Sequence, residues 1–262
     1  GKTSLLGTLA KTVDADVIVV GLIGERGREV RDFVDNVLGS KGMAKCVMVA
    51  ATSDMSALQR RNCALSAMSI AEAFRDQGKH VLLQLDSVTR YAEAHREIAA
   101  AAGELPTLRG CPASPAQKIM SLCERARPGA FESGDITAVF SVLVAGSDMD
   151  EPIADIVRGV LDGHVILDRK IAERGRFPAI DVLKSVSRSL PRAANEYENK
   201  VLLVMRRLLG AYHSAEPMIR AGLYVSGSDP IVDDAIKVYD DLDHFVGQLE
   251  NGSVQDSFNK LG

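Results

Sequence analysis

The sequence lacks an excess of positive charge, long hydrophobic runs and a leader-like beginning. Its 262 residues include 31 Lys and Arg against 35 Asp and Glu, which gives a formal net charge of −4. Nucleic acids and anionic membranes attract proteins through a positive field, so this charge argues against either as the primary partner. No apolar run approaches the roughly 20 residues of a membrane-spanning helix, and no charged and then apolar segment precedes a cleavage site. We therefore expect a globular, cytoplasmic protein.

Cysteine and histidine are scarce and are not spaced as metal ligands. The four cysteines, Cys46, Cys63, Cys111 and Cys123, include no C-x-x-C pair, and the five histidines are scattered. Zinc sites and redox motifs depend on such spacing. We therefore expect reduced thiols that pack in the interior, and no zinc.

The chain opens on Gly1-Lys2-Thr3-Ser4, followed by an apolar run. These residues match the end of the phosphate-binding loop G-x-x-x-x-G-K-[ST], which leads into a helix. The glycine lets the backbone approach a phosphate, the lysine reaches the β- and γ-phosphates, and the threonine hydroxyl ligates the Mg²⁺ between them. Three such residues also occur by chance at ordinary helix starts. Because the first part of the loop and its strand are absent, we expect a fragment with little ATP affinity of its own.

Short apolar runs then alternate with helical patterns. Continuous apolar runs of strand length cover residues 16–23, 45–51, 80–86, 136–145 and 164–168. Such runs are typical of strands that are buried on both faces of a sheet. Helical patterns separate most of them. This alternation predicts an α/β fold in which helices cover both faces of a mostly parallel sheet.

The pattern changes after Pro191. From about Ala194 the apolar positions follow helical spacing, and Asp229-Pro230 forms a typical helix start, with Asp as the cap and Pro in the first turn. We therefore predict two domains: an α/β core over residues 1–191 and an all-helical domain over residues 192–262.

Two acids lie directly behind predicted strands. Asp86 follows the segment Leu82-Leu83-Gln84-Leu85, which has three apolar residues, as in a Walker B strand, and would hold Mg²⁺ at the carboxyl end of the sheet. The alternative is a helix cap, because Asp86-Ser87 also opens a helix. Glu25 follows Gly24, and its carboxylate could polarise an attacking water while the guanidinium of Arg26 holds the γ-phosphate. The alternative there is a solvated first helical turn.

Two other charged features have simpler interpretations. The acidic run over residues 147–151 resembles a metal loop, but we interpret its acids as caps of the helix after Pro152. Arg60 and Arg61 fit a helix surface better than a nucleic-acid patch.

Three segments resemble a known family. They are GERGREVRDFV over residues 24–34, the segment SALQRR to GELP over 56–106, and RFPAIDVLKSVSR over 176–188. They look like the ATPases of flagellar and virulence-type type III secretion, relatives of the catalytic subunit of the rotary ATP synthase. Residues 220–236 are most similar to the flagellar branch. The resemblance extends from Gly1 into the helical tail, and it implies a RecA-like P-loop core followed by a helical domain.

The resemblance assigns the phosphate and metal ligands to specific residues. Residues 1–4 belong to the nucleotide-binding loop, with Lys2 on the phosphates and Thr3 on Mg²⁺. Asp86 matches the Walker B acid that holds the same ion. Arg90 matches an arginine near the phosphates.

The resemblance also implies a base, an adenine pocket and a finger. Glu25 matches the general base of catalytic subunits, and Arg26 the arginine beside it. Phe177 stands where the synthase family stacks a tyrosine on adenine, and a phenyl ring keeps the stacking face. Tyr224 matches the opposite wall of the adenine pocket, with core packing as the alternative. Arg188 matches the arginine finger offered to the nucleotide of a neighbour, which implies a homohexamer.

Together these features imply an Mg²⁺-dependent ATP hydrolase that energises export through the flagellar type III apparatus, at the cytoplasmic face of the inner membrane. Its partners would be a central stalk protein, a regulatory peripheral stalk protein, the export gate, and export substrates with their chaperones, without nucleic acid. A virulence injectisome ATPase is the alternative within the class, and a hexameric RNA translocase fits the acidic charge less well. A non-catalytic ring subunit is the alternative outside it, but such synthase subunits place a glutamine at the position of Glu25.

Overall fold

The computed structural model describes residues 1–105, 113–130, 132–144, 151–248 and 252–261. In chain order, the helices are α1 (Lys2–Thr12), α2 (Gly27–Asp32), α3 (Gly39–Met43), α4 (Ala57–Arg75), α5 (Val88–Ala101), α6 (Ser114–Glu124), α7 (Pro152–Val160), α8 (Arg169–Glu173), α9 (Glu196–Arg220), α10 (Pro230–Gly247) and α11 (Val254–Leu261). The strands are β1 (Val17–Glu25), β2 (Cys46–Thr52), β3 (His80–Asp86), β4 (Asp135–Phe140), β5 (Gly163–Leu167) and β6 (Ile180–Ser187). Cys111 and the acids Asp148 and Asp150 lie outside the described residues, whereas Glu151 takes the N-cap position of α7.

The chain divides into two compact units, residues 2–161 and residues 162–262 with Gly1. The predicted domain boundary near Pro191 lies inside the second unit and stays a prediction. In the part of the chain that the structure describes, no helix is long and apolar enough to cross a membrane.

The first unit is built on a parallel sheet with the strand order β2-β1-β3-β4. Side chains alternate between its two faces along β1. Val19 and Ile23 pack in the cluster formed with α4 to α7, whereas Val20 and Leu22 pack in the cluster formed with α1. Because both faces are covered, the strands are apolar throughout rather than alternating. The predicted α/β class is confirmed.

Helix α1 is held closely against the sheet. The side chain of the fully buried Gln84 on β3 donates a hydrogen bond of 3.0 Å to the carbonyl of Leu6. A Cβ built on Gly7 would lie only 2.1 Å from Cγ1 of Val37, in the π-helical segment Phe33–Leu38 that continues α2. The absence of a side chain at Gly7 therefore allows this close approach, which places the start of α1 above the sheet.

The second unit contains an antiparallel pair, β5 and β6, together with helices α8 to α11. The strand predicted over residues 164–168 exists as β5, but it does not extend the parallel sheet. Its partner β6 was not predicted as a strand. The predicted helix start at Asp229-Pro230 is confirmed, since the Asp229 carboxylate accepts hydrogen bonds from the backbone N–H groups of Ile231 and Val232.

Candidate active site

The carboxyl ends of two neighbouring strands meet the first turn of α1. Strand β1 ends at Glu25 and β3 at Asp86, which lies opposite Leu22 in the parallel register. Helix α1 begins at Lys2, whose Nζ lies 3.9 Å from Oδ1 of Asp86. The charge of Glu25 acts on Lys2 as well. The structure thus brings together three residues that the sequence predicted for one site.

Asp86 is buried, with 5% of its surface exposed. It does not cap α5, because the cap is Ser87, whose side chain accepts a hydrogen bond from the backbone N–H of Arg90. Its carboxylate instead accepts a hydrogen bond from the hydroxyl of Ser141 and faces Lys2. A buried carboxylate between a hydroxyl and an ammonium group is suited to hold a cation or to respond to one.

Sequence reasoning missed Ser141, which no motif marks. The only available signal was the register of the sheet. Leu85 lies opposite Phe140, so the next residue on each strand reaches the same level. The backbone of Ser141 also bonds to both sides of Asp86, donating 2.9 Å to the Leu85 carbonyl and accepting 2.9 Å from the Val88 N–H.

The pKa of Lys2 is lowered from its usual range. Burial is the main cause and the nearby charge of Arg90 adds to it, whereas Asp86 and Glu25 act in the opposite direction. An ammonium group that has lost part of its hydration gains most from a new anionic partner. A half-buried ammonium group of this kind is suited to bind an anion such as a phosphate.

Glu25 has a pKa raised from 4.5 to about 7. Burial is the largest cause, followed by repulsion from Asp86 and by the hydrogen bond and charge of Glu29, while Lys2 opposes the shift. The carboxylate follows a β-bulge between Ile23 and Glu25, at which Gly24 has a φ of 72°. A carboxyl group with a pKa near the working pH is suited to accept a proton.

The two arginines of the predicted site differ in placement. The side chain of Arg26 is 66% exposed and its guanidinium lies 3.4 Å from Glu29. Arg90 lies on α5 and pairs with Glu93 at 3.0 Å. Its side chain fills the space beside Gly24, since a Cβ built on Gly24 would lie 3.3 Å from the side chain of Arg90. The Nε of Arg90 is buried and has no acceptor among the described residues.

Thr3 and Ser4 occupy the exposed first turn of α1. The first N–H groups of a helix have no partner within the helix and carry a partial positive charge. Such a turn, beside a lysine, is a site for a phosphate anion.

The oxygen donors at this turn fit a magnesium ion. Thr3 is exposed on the first turn of α1. The buried Asp86 carboxylate lies near the same turn, since it is 3.9 Å from Nζ of Lys2. Within the described ranges, no group of three or more His, Cys, Asp or Glu could hold a metal. Mg²⁺ takes one or two protein oxygens and completes its shell with water and substrate phosphates, and the Thr3 hydroxyl and the Asp86 carboxylate are oxygens of the kind it prefers.

Three predicted residues belong to the second compact unit. Phe177 is 59% exposed. Arg188 directly follows β6, and its backbone N–H donates 2.7 Å to the carbonyl of Asp162. The Tyr224 hydroxyl lies 3.0 Å from both the Asp229 carbonyl and a carboxylate oxygen of Asp233. The Tyr224 hydroxyl therefore helps to order the loop that precedes α10.

Two family models match most of the chain. Residues 1–187 match the family model described as ATP synthase alpha/beta family, nucleotide-binding domain. Residues 196–261 match the model of the T3SS EscN ATPase C-terminal domain. The two matches leave residues 188–195 between them.

Individual relatives match nearly the whole chain. The flagellum-specific ATP synthase of Caulobacter vibrioides is 48% identical over 100% of this chain, which spans 61% of that protein. The type 3 secretion system ATPase of Pseudomonas syringae pv. tomato is 47% identical over 95% of this chain, which spans 55% of it. A solved structure, the assembled ATPase EscN in complex with its central stalk EscO from the type III secretion system of enteropathogenic E. coli, gives a TM-score of 0.91 at 41% identity. It covers 100% of this chain and 62% of its own. The chain thus spans about three fifths of the length of its relatives.

Proposed function

The chain belongs to the ATP synthase alpha/beta family, and we propose that its protein hydrolyses ATP to ADP and phosphate to energise type III protein export. The observation that carries this proposal is the meeting of Lys2, Glu25 and Asp86 at the carboxyl ends of β1 and β3. This cluster combines a phosphate ligand, a base and a metal ligand in one place.

Each residue has a distinct part in the proposed reaction. Lys2 and the first N–H groups of α1 bind the β- and γ-phosphates. Glu25, with its pKa of about 7, orients the attacking water and accepts its proton. Arg90 and Arg26 compensate the charge of the phosphates.

Thr3 and Asp86 would hold the magnesium ion. When bound, Mg²⁺ neutralises negative charge on the phosphate oxygens. The hydrogen bond from Ser141 keeps one Asp86 oxygen oriented, so the carboxylate needs little reorganisation when a cation arrives.

The remaining predicted residues complete the nucleotide site. Phe177 stacks on the adenine and Tyr224 forms the opposite wall. Arg188 reaches the nucleotide of a neighbouring copy, so the protein works as a homohexameric ring. The EscN structure, an assembled ATPase with a central stalk, supports both the ring and a stalk partner. We place the ring at the cytoplasmic face of the inner membrane, with a peripheral stalk protein, the export gate, and export substrates with their chaperones as further partners.

Flagellar export is the system that we favour, on the match of residues 220–236 to the flagellar branch. An injectisome ATPase is the second candidate, because the identity to a type 3 secretion ATPase is 47% against 48% to the flagellar protein. A non-catalytic ring subunit is disfavoured by Glu25, whose raised pKa suits a base.

The test is subunit mixing, performed with the complete open reading frame that contains this chain. Arg188→Ala should leave ATP affinity nearly unchanged and reduce turnover by about 10³–10⁵-fold, the range measured for fingers. Lys2→Ala should lose nucleotide binding. Mixed together, the two inactive proteins should regain hydrolysis, because one supplies an intact pocket and the other an intact finger. A mixture that forms rings by light scattering but stays inactive would remove the finger from the proposal.

A further inference from the structure

The strand that leads to Arg188 is interrupted by a large bulge. On β5, His164 pairs with Val186 and Ile166 pairs with Asp181. A single residue lies between the two positions on β5, whereas residues 182–185 lie between them on β6. A bulge leaves its extra backbone groups without partners in the ladder and bends the strand.

The guanidinium of Arg206, on α9, supplies those partners. It donates 2.9 Å to the carbonyl of Val182, 2.8 Å to that of Leu183 and 3.3 Å to that of Ser185. Only arginine has a rigid fork of donors that can join several carbonyls at once, whereas lysine is a single point of charge. One side chain of α9 therefore holds three of the four bulge carbonyls.

Part of the bulge borders a pocket of about 280 Å³, which Asp181, Val182, Leu183 and Lys184 line on this side. These side chains make no dispersion contacts across the empty part of the pocket. Hydrogen bonds therefore contribute to the order of the bulge alongside packing.

The bulge determines which residue lies at the end of β6 and to which face of the strand its side chain points. A shift of one residue in register turns every side chain to the opposite face of a strand. Ser187 pairs with Gly163, and Arg188 follows it with its N–H bonded to the Asp162 carbonyl. The number of residues stored in the bulge thus sets which residue arrives at that last position.

We propose that Arg206 is a positioning residue for Arg188, which it aims by holding the β6 bulge against α9. The proposal rests on the function proposed above, in which Arg188 serves the nucleotide of a neighbour. It makes α9 the element through which a change in the C-terminal helices reaches the finger. Arg206 acts through β6 and does not contact the nucleotide.

The test compares Arg206→Ala and Arg206→Lys with Arg207→Ala in the complete protein. Arg207 is the next residue of the same helix, is exposed, and donates no hydrogen bond within the described residues, so it controls for the loss of a charge. We expect Arg206→Ala to lower kcat by about 10–100-fold at unchanged KM, as a displacement of about 1 Å can. Arg206→Lys should recover only part of this loss, and Arg207→Ala should resemble the parent.

Subunit mixing separates an aiming role from a structural one. Arg206→Ala should regain hydrolysis when mixed with Lys2→Ala, whose finger is intact. It should not regain hydrolysis with Arg188→Ala, because both proteins then lack a working finger. Recovery with both partners, or turnover equal to that of Arg207→Ala, would overturn the proposal.

Two further results keep the outcome unambiguous. If Arg206→Ala does not fold, Ser185→Ala disturbs the same bulge from the other side, since the Ser185 hydroxyl donates to the Asp181 carbonyl at 2.6 Å and accepts from the Ile166 N–H at 3.0 Å. It must show the same mixing pattern, or the proposal is wrong. If Arg188→Ala keeps the turnover of the parent, Arg188 is not a finger and the proposed function is wrong on that point. If Arg188→Ala is inactive but Arg206→Ala is fully active, only the positioning role of Arg206 is wrong.

Discussion

The Nζ of Lys2 lies 3.9 Å from Oδ1 of Asp86, joining the first residue of α1 to the last residue of β3. The Asp86 side chain is only 7% exposed and that of Lys2 32%. A pair at this distance and this burial is held by the fold and is not a screened surface contact. Phosphate binding would draw the ammonium away from the carboxylate, which would then be available for a cation.

Asp86→Asn should separate metal binding from nucleotide binding. The amide keeps the size of the side chain but loses the negative charge, so we expect turnover to fall by about 100-fold or more and the Mg²⁺ concentration for half-maximal rate to rise. Steady-state hydrolysis at varied Mg²⁺ measures both. Asp135→Asn, at the other end of the sheet on β4, is the control and should change neither. An unchanged Mg²⁺ requirement in Asp86→Asn would leave Asp86 as a structural partner of Lys2 alone.

Glu25→Gln should lose activity and gain stability. The folded-state pKa of Glu25, about 7, lies above its ordinary value of 4.5, so the free energy of unfolding falls as pH rises through this window. The neutral amide of the variant does not ionise, so its free energy of unfolding does not fall with pH in this way. Since Glu25 is only half-buried, we expect a gain of about 1 kcal/mol at pH 8 after allowing for solvent screening, or about 2–4 °C in Tm.

The pH dependence supplies the control for this variant. At pH 4, below both the ordinary pKa of 4.5 and the folded-state pKa of about 7, the parent carboxyl is protonated in both states, so the two melting temperatures should nearly coincide. Hydrolysis should fall by about 10²-fold or more at any pH, because the proton acceptor is gone. A difference in Tm between variant and parent that is the same at both pH values would show that the pKa shift plays no part.

Gly24→Ala should disturb the base through the backbone. The φ of Gly24 is 72°, and a Cβ would lie 3.3 Å from the side chain of Arg90. Because alanine is strained in the left-handed conformation, we expect the free energy of unfolding to fall by about 1–2 kcal/mol. We also expect kcat to fall, because Glu25 and Arg90 shift. Gly210→Ala in α9 is the matched control: no atom lies within 4 Å of its Cβ, so it should stabilise by about 0.5–1 kcal/mol.

Much of the first unit could be predicted from the sequence because its signals are local. A buried strand followed by Asp86, a strand followed by Gly24 and Glu25, and a lysine at a helix start each occupy a few consecutive residues. Since parallel strands direct their carboxyl ends to one edge, three local signals were enough to assemble the Lys2, Glu25 and Asp86 cluster.

The features that were missed depend on contacts between distant residues. Ser141 reaches Asp86 only through the register of β3 and β4. Strand β6 carries a bulge whose carbonyls are satisfied by Arg206, so its residues do not alternate as a regular strand does. Helical spacing along α9 identifies its buried face, where Met205 and Leu209 lie, but it does not reveal what an arginine on another face will bind.

In the proposed adenine pocket, substitutions of Phe177 and Tyr224 should affect ATP affinity and protein stability differently. Phe177 exposes 59% of its surface, so Phe177→Ala should cost little stability. It should weaken ATP binding by about 5–150-fold, since stacking on a base is worth about 1–3 kcal/mol. Phe177→Tyr, which keeps the stacking face, should bind ATP as the parent does.

Tyr224→Phe tests the second wall in the same assay. It keeps the ring but removes the hydroxyl, which lies 3.0 Å from the Asp229 carbonyl and from Asp233. We expect a loss of about 1 kcal/mol in unfolding free energy with little change in ATP affinity, and Tyr224→Ala should lose both. Binding is measured by fluorescent-nucleotide titration and stability by thermal unfolding of the same samples. If Tyr224→Ala unfolds earlier but binds ATP normally, Tyr224 only orders its loop, and the adenine is held by Phe177 from one side.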